Sequence, residues 1–205
     1  MDPACDELLG HEEGRLMLNR RPRIRGVTLI ELMVGIAIMI ILLFLALPNF
    51  AIWLQNTQIR TGAEAILSGM QLARAEAVRR NTSVEFQMTS VGPPMTTAWT
   101  AIVVNTADVI QTRVAEEGSR TAVVTAAPGG ASKITFSGFG NIAATNNDGS
   151  LAITELKIDS AAISAADSRE LCIMVNPAGA IRLCDPKIAA GDPRACAPAV
   201  PAGCL

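Results

Sequence analysis

The chain has no tyrosine, one histidine and only 3% aromatic residues, a thin inventory for catalysis. Enzymes need an activated nucleophile or a tuned acid–base pair. Here no serine stands in a G-x-S-x-G elbow, and the acids show no paired metal-ligand spacing. No catalytic residue and no cofactor is therefore nominated, and the chain is not expected to be an enzyme. A basic field is also missing. Lys and Arg total 17 against 19 Asp and Glu, a net charge of −2, so nothing global draws the chain to nucleic acid or anionic lipid.

The apolar content is concentrated. Residues 32–47 read LMVGIAIMIILLFLAL without one polar side chain. Spanning a bilayer takes about 20 apolar residues, and residues 27–47 supply such a run with a single charge, Glu31. In front of it, residues 1–14 carry acids but no Lys or Arg, and Arg20, Arg21, Arg23 and Arg25 then crowd before Gly26. A basic cluster before an apolar run keeps the N-terminus cytoplasmic and sends the C-terminal side across the membrane. A secretory signal peptide fits poorly: the run is too long, contains Glu31 and is followed by no small-x-small cleavage site.

Glu31 is the anomaly. A carboxylate in an apolar membrane helix costs a few kcal/mol and marks function with a specific partner. If the chain is cut after Gly26, Val27 becomes an α-amino terminus four residues before Glu31. That amino group on one copy can neutralise Glu31 on its neighbour in a low-dielectric bundle, and the pair would fix their stagger.

Gly26 followed by VTLIELMVGIAIMIILLFLALP resembles the class III signal of type IV prepilins and type II secretion pseudopilins. The resemblance implies cleavage by a prepilin peptidase between Gly26 and Val27, N-methylation of Val27, and assembly directed by Glu31. It implies as partners the inner membrane, its assembly platform, and other major or minor pilins or pseudopilins. The localisation implied is the inner membrane, single-pass with the C-terminal domain periplasmic, and then a pilus or pseudopilus. Two departures stand out: Val27 replaces the usual Phe or Met, and a leader of 26 residues is long. A start at Met17 gives the short leader MLNRRPRIRG, so residues 1–16, with Cys5 and His11, read as a misplaced start.

Beyond the apolar run, Ile59, Ala63, Ile66, Leu67, Met70, Ala73 and Val78 recur at helical spacing, with Arg60, Glu64, Arg74, Glu76, Arg79 and Arg80 mostly off that face. Pro48 predicts a kink or melted segment, and Gly62 and Gly69 weaken the middle. From Val84 the period changes. VEFQM, WTAIVVN, TAVVT, KITFS, LAITELKID, LCIMV and AIRLC are short β-branched runs separated by turn material such as APGGAS, NNDG and NPAG.

The expected fold is α+β: one long N-terminal helix packed on a small antiparallel sheet or sandwich of seven or so strands. This is the type IV pilin-like arrangement. The expected divisions are a leader at 1–26, the transmembrane assembly half of the helix at 27–48, its amphipathic half at 49–81, and a β-rich periplasmic domain at 82–205. QLARAEAVRRNTSVEF resembles the GspH/FimT group, and the ending, CIMVNPAGAIRLCDP with GDPRAC, resembles minor pilins of the FimT and FimU kind. These resemblances imply a low-abundance subunit that primes or caps a type IV pilus, with an H-type pseudopilin of type II secretion as the alternative.

Four cysteines lie close to the C-terminus. Cys172, Cys184, Cys196 and Cys204 are spaced 12, 12 and 8 apart, lacking any C-x-x-C pair, so an exported domain favours disulfides over zinc and no metal is expected. Pro186, Gly191 and Pro193 suit a turn that joins Cys184 to Cys196, leaving Cys172 for Cys204 and tying down the tail. The rival pattern pairs Cys172 with Cys184 across the NPAG hairpin and Cys196 with Cys204. A further reading comes from FimT-type subunits that bind DNA through a G-R-x-R-like turn. Here Gly179-Ala180-Ile181-Arg182 lacks the first Arg, and Arg182, Lys187 and Arg194 make only a weak phosphate site.

Overall fold

A computed structural model describes residues 26–90, 92 and 94–204. The expected leader, including Cys5, His11 and Met17, lies outside the described residues apart from Gly26. The chain divides into two compact units at Leu43/Phe44.

The helix α1 runs Leu29–Arg80 and both of its ends are capped by sequence. Thr28 precedes it: the Glu31 amide donates to the Thr28 hydroxyl at 3.3 Å, and the Leu32 amide to the Thr28 carbonyl at 3.1 Å. At the other end Asn81 takes φ 46°, the left-handed conformation that Asn tolerates. The Thr82 amide then bonds the Ala77 carbonyl and the Asn81 amide the Val78 carbonyl, the paired bonds of a Schellman motif. The melted segment expected at Pro48 is absent, because a proline deletes one ladder bond while the neighbouring turns keep theirs.

In the first unit every described residue from 26 to 43 is exposed. In the second, the described residues form nine strands in two antiparallel sheets, the sandwich alternative of the expectation with two strands more than the seven or so read from the sequence. The first sheet has the order β4-β3-β1-β6, with β1 at Val84–Met88, β3 at Trp99–Val103, β4 at Val109–Arg113 and β6 at Lys133–Phe136. The second has the order β2-β5-β7-β8-β9, with β2 at Met95–Thr96, β5 at Ala122–Ala127, β7 at Glu155–Ser160, β8 at Leu171–Val175 and β9 at Ile181–Cys184. β3 and β7 alternate buried and less buried positions, the period of a strand with one face on a core.

Ile59, Ala63, Ile66, Met70, Ala73 and Ala77 of α1 share one core with both sheets. Val78 is exposed and Ala77 takes its place on the buried face. Gly62 and Gly69 are not weak points. A Cβ at Gly62 would come within 2.7 Å of the Thr97 methyl, and one at Gly69 within 2.6 Å of the Trp99 ring. The two glycines let the helix backbone lie directly on the sheets. Polar bonds fix the helix above them: the Thr121 amide and hydroxyl both donate to Gln58 Oε1, and Arg74 Nε donates to the Gly140 carbonyl at 2.9 Å.

Candidate functional site

Two regions carry the residues that the sequence nominated. The first is the stretch around the start of α1. Gly26 has open space around it, since an added Cβ would meet nothing within 4 Å, and Val27 is 69% exposed. Among the described residues nothing therefore demands glycine at position 26. Thr28 as N-cap puts Leu29, Ile30 and Glu31 at the first three helical positions, so Thr28-Leu29-Ile30-Glu31 spells a capping box. That signal is readable in the sequence, but the charge at Glu31 is the more conspicuous feature and masks it. The capping position gives Glu31 a second favourable role, a negative side chain in the first turn of a helix.

Behind Glu31 stands an uncovered apolar surface. Leu32, Met33, Val34, Ile36, Ile38, Met39, Ile40, Ile41, Leu42 and Leu43 are each roughly half exposed or more. Patches of this extent are covered in working proteins by lipid or by other chains. Gly35 lies within the run with nothing inside 4 Å of its added Cβ. Glycine in a helix interior costs about 1 kcal/mol relative to Ala, and no contact among the described residues offsets that. Close approach of another helix would.

The second region is the C-terminal clamp. β8 and β9 pair so that Cys172 stands directly opposite Cys184. The disulfides nevertheless run Cys172–Cys204 and Cys184–Cys196, with Cα separations of 5.9 and 4.9 Å. All four cysteines are buried with Met174 and Val200 against them. The tail returns to the sheet edge beside β9 through an Asp185–Ala195 bridge, and the Gly203 amide donates to Glu155 Oε2 at 2.9 Å.

The three cations of the DNA reading are each engaged by other groups of the chain. Arg182 donates to the carbonyls of Pro193 and Ala195, both at 3.2 Å. Lys187 Nζ donates to the carbonyls of Ala165 and Ser168. Arg194 pairs with Asp192 at 3.1 Å, which lowers the Asp192 pKa through the Arg194 hydrogen bonds and raises that of Arg194. Lys187 and Arg194 also line an open groove of about 970 Å³ with Trp53, Arg60, Arg169 and Asp185.

Other ionic groups hold the fold. Glu76 is held down to about 2 by hydrogen bonds from Arg79 and Arg80. Lys133 lies 2.9 Å from Asp148 and 3.5 Å from the buried Glu85. Asp148 is pushed below the usual carboxylate range by the Ser150 hydroxyl first and by Lys133 next, and Lys133 is raised in turn.

Comparison with known proteins matches residues 62–179 to the family described as type II transport protein GspH. Residues 21–47 match the prokaryotic N-terminal methylation motif. Two crystal structures of the type IV minor pilin FimU of Pseudomonas aeruginosa (strain PAO1) are similar to the chain. One is 17% identical with a TM-score of 0.46, covering 60% of this chain and 90% of that one. The other is 18% identical with a TM-score of 0.45, covering 61% and 87%. No curated protein sequence matches the chain.

Proposed function

Since the chain belongs to the GspH family of pilin-like subunits, we propose that it is a minor pilin, processed at Gly26/Val27 and built into a type IV pilus through its N-terminal helix. The observation that carries this reading is the uncovered apolar helix of residues 29–43, headed by Glu31 and lying within a methylation motif. Before assembly the bilayer covers that surface, with the N-terminus cytoplasmic and residues 82–205 in the periplasm. After assembly the helices of neighbouring subunits cover it. A prepilin peptidase makes the cut and methylates Val27, and an inner-membrane platform drives the transfer from lipid to filament.

Glu31 and the Val27 amino group are the polar pair of this transfer. The open space around Gly26 supports the reading that the peptidase, rather than the fold, is what needs a glycine there. Gly35 is the place where a neighbouring helix comes close. Residues 49–81 and 82–205 form the body that the filament displays, closed at its end by the disulfide clamp.

The ending around Cys172–Pro186 resembles that of minor pilins and favours the pilus. The family's description favours a second reading, an H-type pseudopilin of type II secretion. A deletion strain separates the two. Loss of surface pili with protein secretion intact supports the pilus, and the opposite outcome assigns the chain to secretion.

A further inference from the structure

We propose that the groove between α1 and the loops at 166–169 and 185–194 binds the headgroup of an anionic phospholipid while the subunit sits in the bilayer. This rests on the reading that lipid covers the apolar helix before assembly. The groove measures about 970 Å³ and lies wholly within the second unit. Arg60, Arg169, Lys187 and Arg194 line it against two acids, Asp167 and Asp185, in a chain whose net charge is −2. Basic residues clustered beside a membrane span hold anionic headgroups.

Position along the helix selects a lipid. Within this unit Phe44, Leu45, Leu47, Phe50, Trp53 and Leu54 of α1 are all exposed, and among the described residues the next exposed large apolar side chain is Val78. The boundary between lipid tails and headgroups therefore falls near Leu54. At 1.5 Å per residue, Asn56 stands about 3 Å beyond it and Arg60 about 9 Å. A headgroup layer about 5–8 Å thick lies at that level. Phe50 and Trp53 pack with ring centroids 5.7 Å apart, and Trp53 lines the groove. Tryptophan gathers at this depth of a membrane because its ring is apolar and its N–H is wet.

The polar atoms suit a phosphate diester. Asn56 grips the neighbouring loop in both directions: its Nδ2 donates to the Asp167 carbonyl at 3.0 Å, and its Oδ1 accepts from the Arg169 amide at 2.7 Å. The Arg169 backbone is thereby fixed beside the helix. Its guanidinium is exposed and makes no hydrogen bond or ion pair among the described residues. Lys187 Nζ is held by the carbonyls of Ala165 and Ser168 at 2.6 and 2.7 Å, neutral acceptors that orient its charge without cancelling it. Glu170 is 3.9 Å from it and is shared with Lys157 at 2.9 Å. Arg60 and Arg194 are paired with Glu64 and Asp192, which leaves Arg169 and Lys187 to meet the phosphate. A guanidinium does so through two parallel N–H bonds, an ammonium as a point charge. Duplex DNA is the rival polyanion, but two open cations neutralise few phosphates, and exposed apolar rings beside them suit lipid.

The test uses the full oxidised chain in nanodiscs of phosphatidylcholine, alone or mixed with phosphatidylglycerol. Amide hydrogen exchange of residues 166–169 and 185–188 should slow about fivefold in the mixed discs. Arg169→Gln should lose that protection. Arg120→Gln should keep it, since Arg120 is an exposed cation beside Thr121, which bonds Gln58 of α1, but lies outside the groove. Equal exchange in the two kinds of disc overturns the proposal. So does equal loss in Arg169→Gln and Arg120→Gln, which marks general surface attraction. Glycerol phosphate or a short DNA duplex that gives the same protection in phosphatidylcholine discs also overturns it, by assigning the groove to a soluble anion or to nucleic acid. A chain that enters discs of neither composition defeats the membrane reading itself, and this proposal with it.

Discussion

Gly69 lies flush against the indole of Trp99: a Cβ added to Gly69 would stand 2.6 Å from Trp99 Cε2 and 2.9 Å from the Phe86 ring. Trp99 is 2% exposed and stacks tilted on Phe86 with centroids 5.4 Å apart, so neither ring has room to retreat. Gly69→Ala should therefore destabilise the domain, although Ala improves an unconstrained helix by about 1 kcal/mol. Overpacking of about 1–3 kcal/mol outweighs that gain. Thermal unfolding followed by circular dichroism checks it, and an unchanged or higher Tm contradicts the packing.

Removing each disulfide should cost according to the loop it closes. The Cys184–Cys196 link spans 12 residues and the Cys172–Cys204 link 32. Loop-closure entropy makes their loss worth about 3 and about 4 kcal/mol, so the Cys172→Ser/Cys204→Ser pair should lower Tm more than the Cys184→Ser/Cys196→Ser pair. Peptide mapping without reduction tests the connectivity itself: a fragment joining Cys172 to Cys184 contradicts it.

The fold was legible because its strands announce themselves. VEFQM, WTAIV and LCIMV are apolar enough to be found by composition alone, and a sustained helical period precedes them. β2 and β4 were not legible. Met95–Thr96 is two residues long, and Val109–Arg113 is an edge strand, largely exposed, with no apolar alternation to read. The glycines at 62 and 69 misled for a related reason. Propensity counts only the helix, whereas their role lies in what the sheets bring against them. The cysteine spacing left two pairings open, since the β8–β9 register that faces Cys172 with Cys184 says nothing of where the tail returns.

Acid should weaken the domain through Asp148 and Glu76. Both carboxyl groups titrate below their ordinary values in the folded protein. Their stabilisation is therefore complete above the unfolded values near pH 4 and is lost as pH falls through the folded values. Lys133, raised by Asp148, works in the opposite sense. Its contribution is complete below its unfolded value, near pH 10, and is lost as pH rises further. Tm should be flat between these limits with respect to these groups. Asp148→Asn should reduce the acid-side drop, and a slope equal to the parent's contradicts the assignment.

Glu31→Ala should leave insertion and cleavage intact while removing the subunit from sheared filaments. Thr28 still caps the first turn, so α1 forms without the carboxylate. Glu31→Gln separates charge from capping, because Gln serves in a capping box but offers no charge to a neighbour's amino group. Immunoblots of filament and membrane fractions should find both variants in the membrane alone. If Glu31→Gln assembles normally, the charge pair is not what directs assembly.

The most direct measurement is the mass of the N-terminal peptide of this subunit taken from sheared filaments. The expected result is a chain beginning at N-methylated Val27, and a Gly26→Leu variant that stays in the membrane as uncut precursor. A filament subunit beginning elsewhere, or one cut beyond Leu47 and so without its apolar helix, would contradict it.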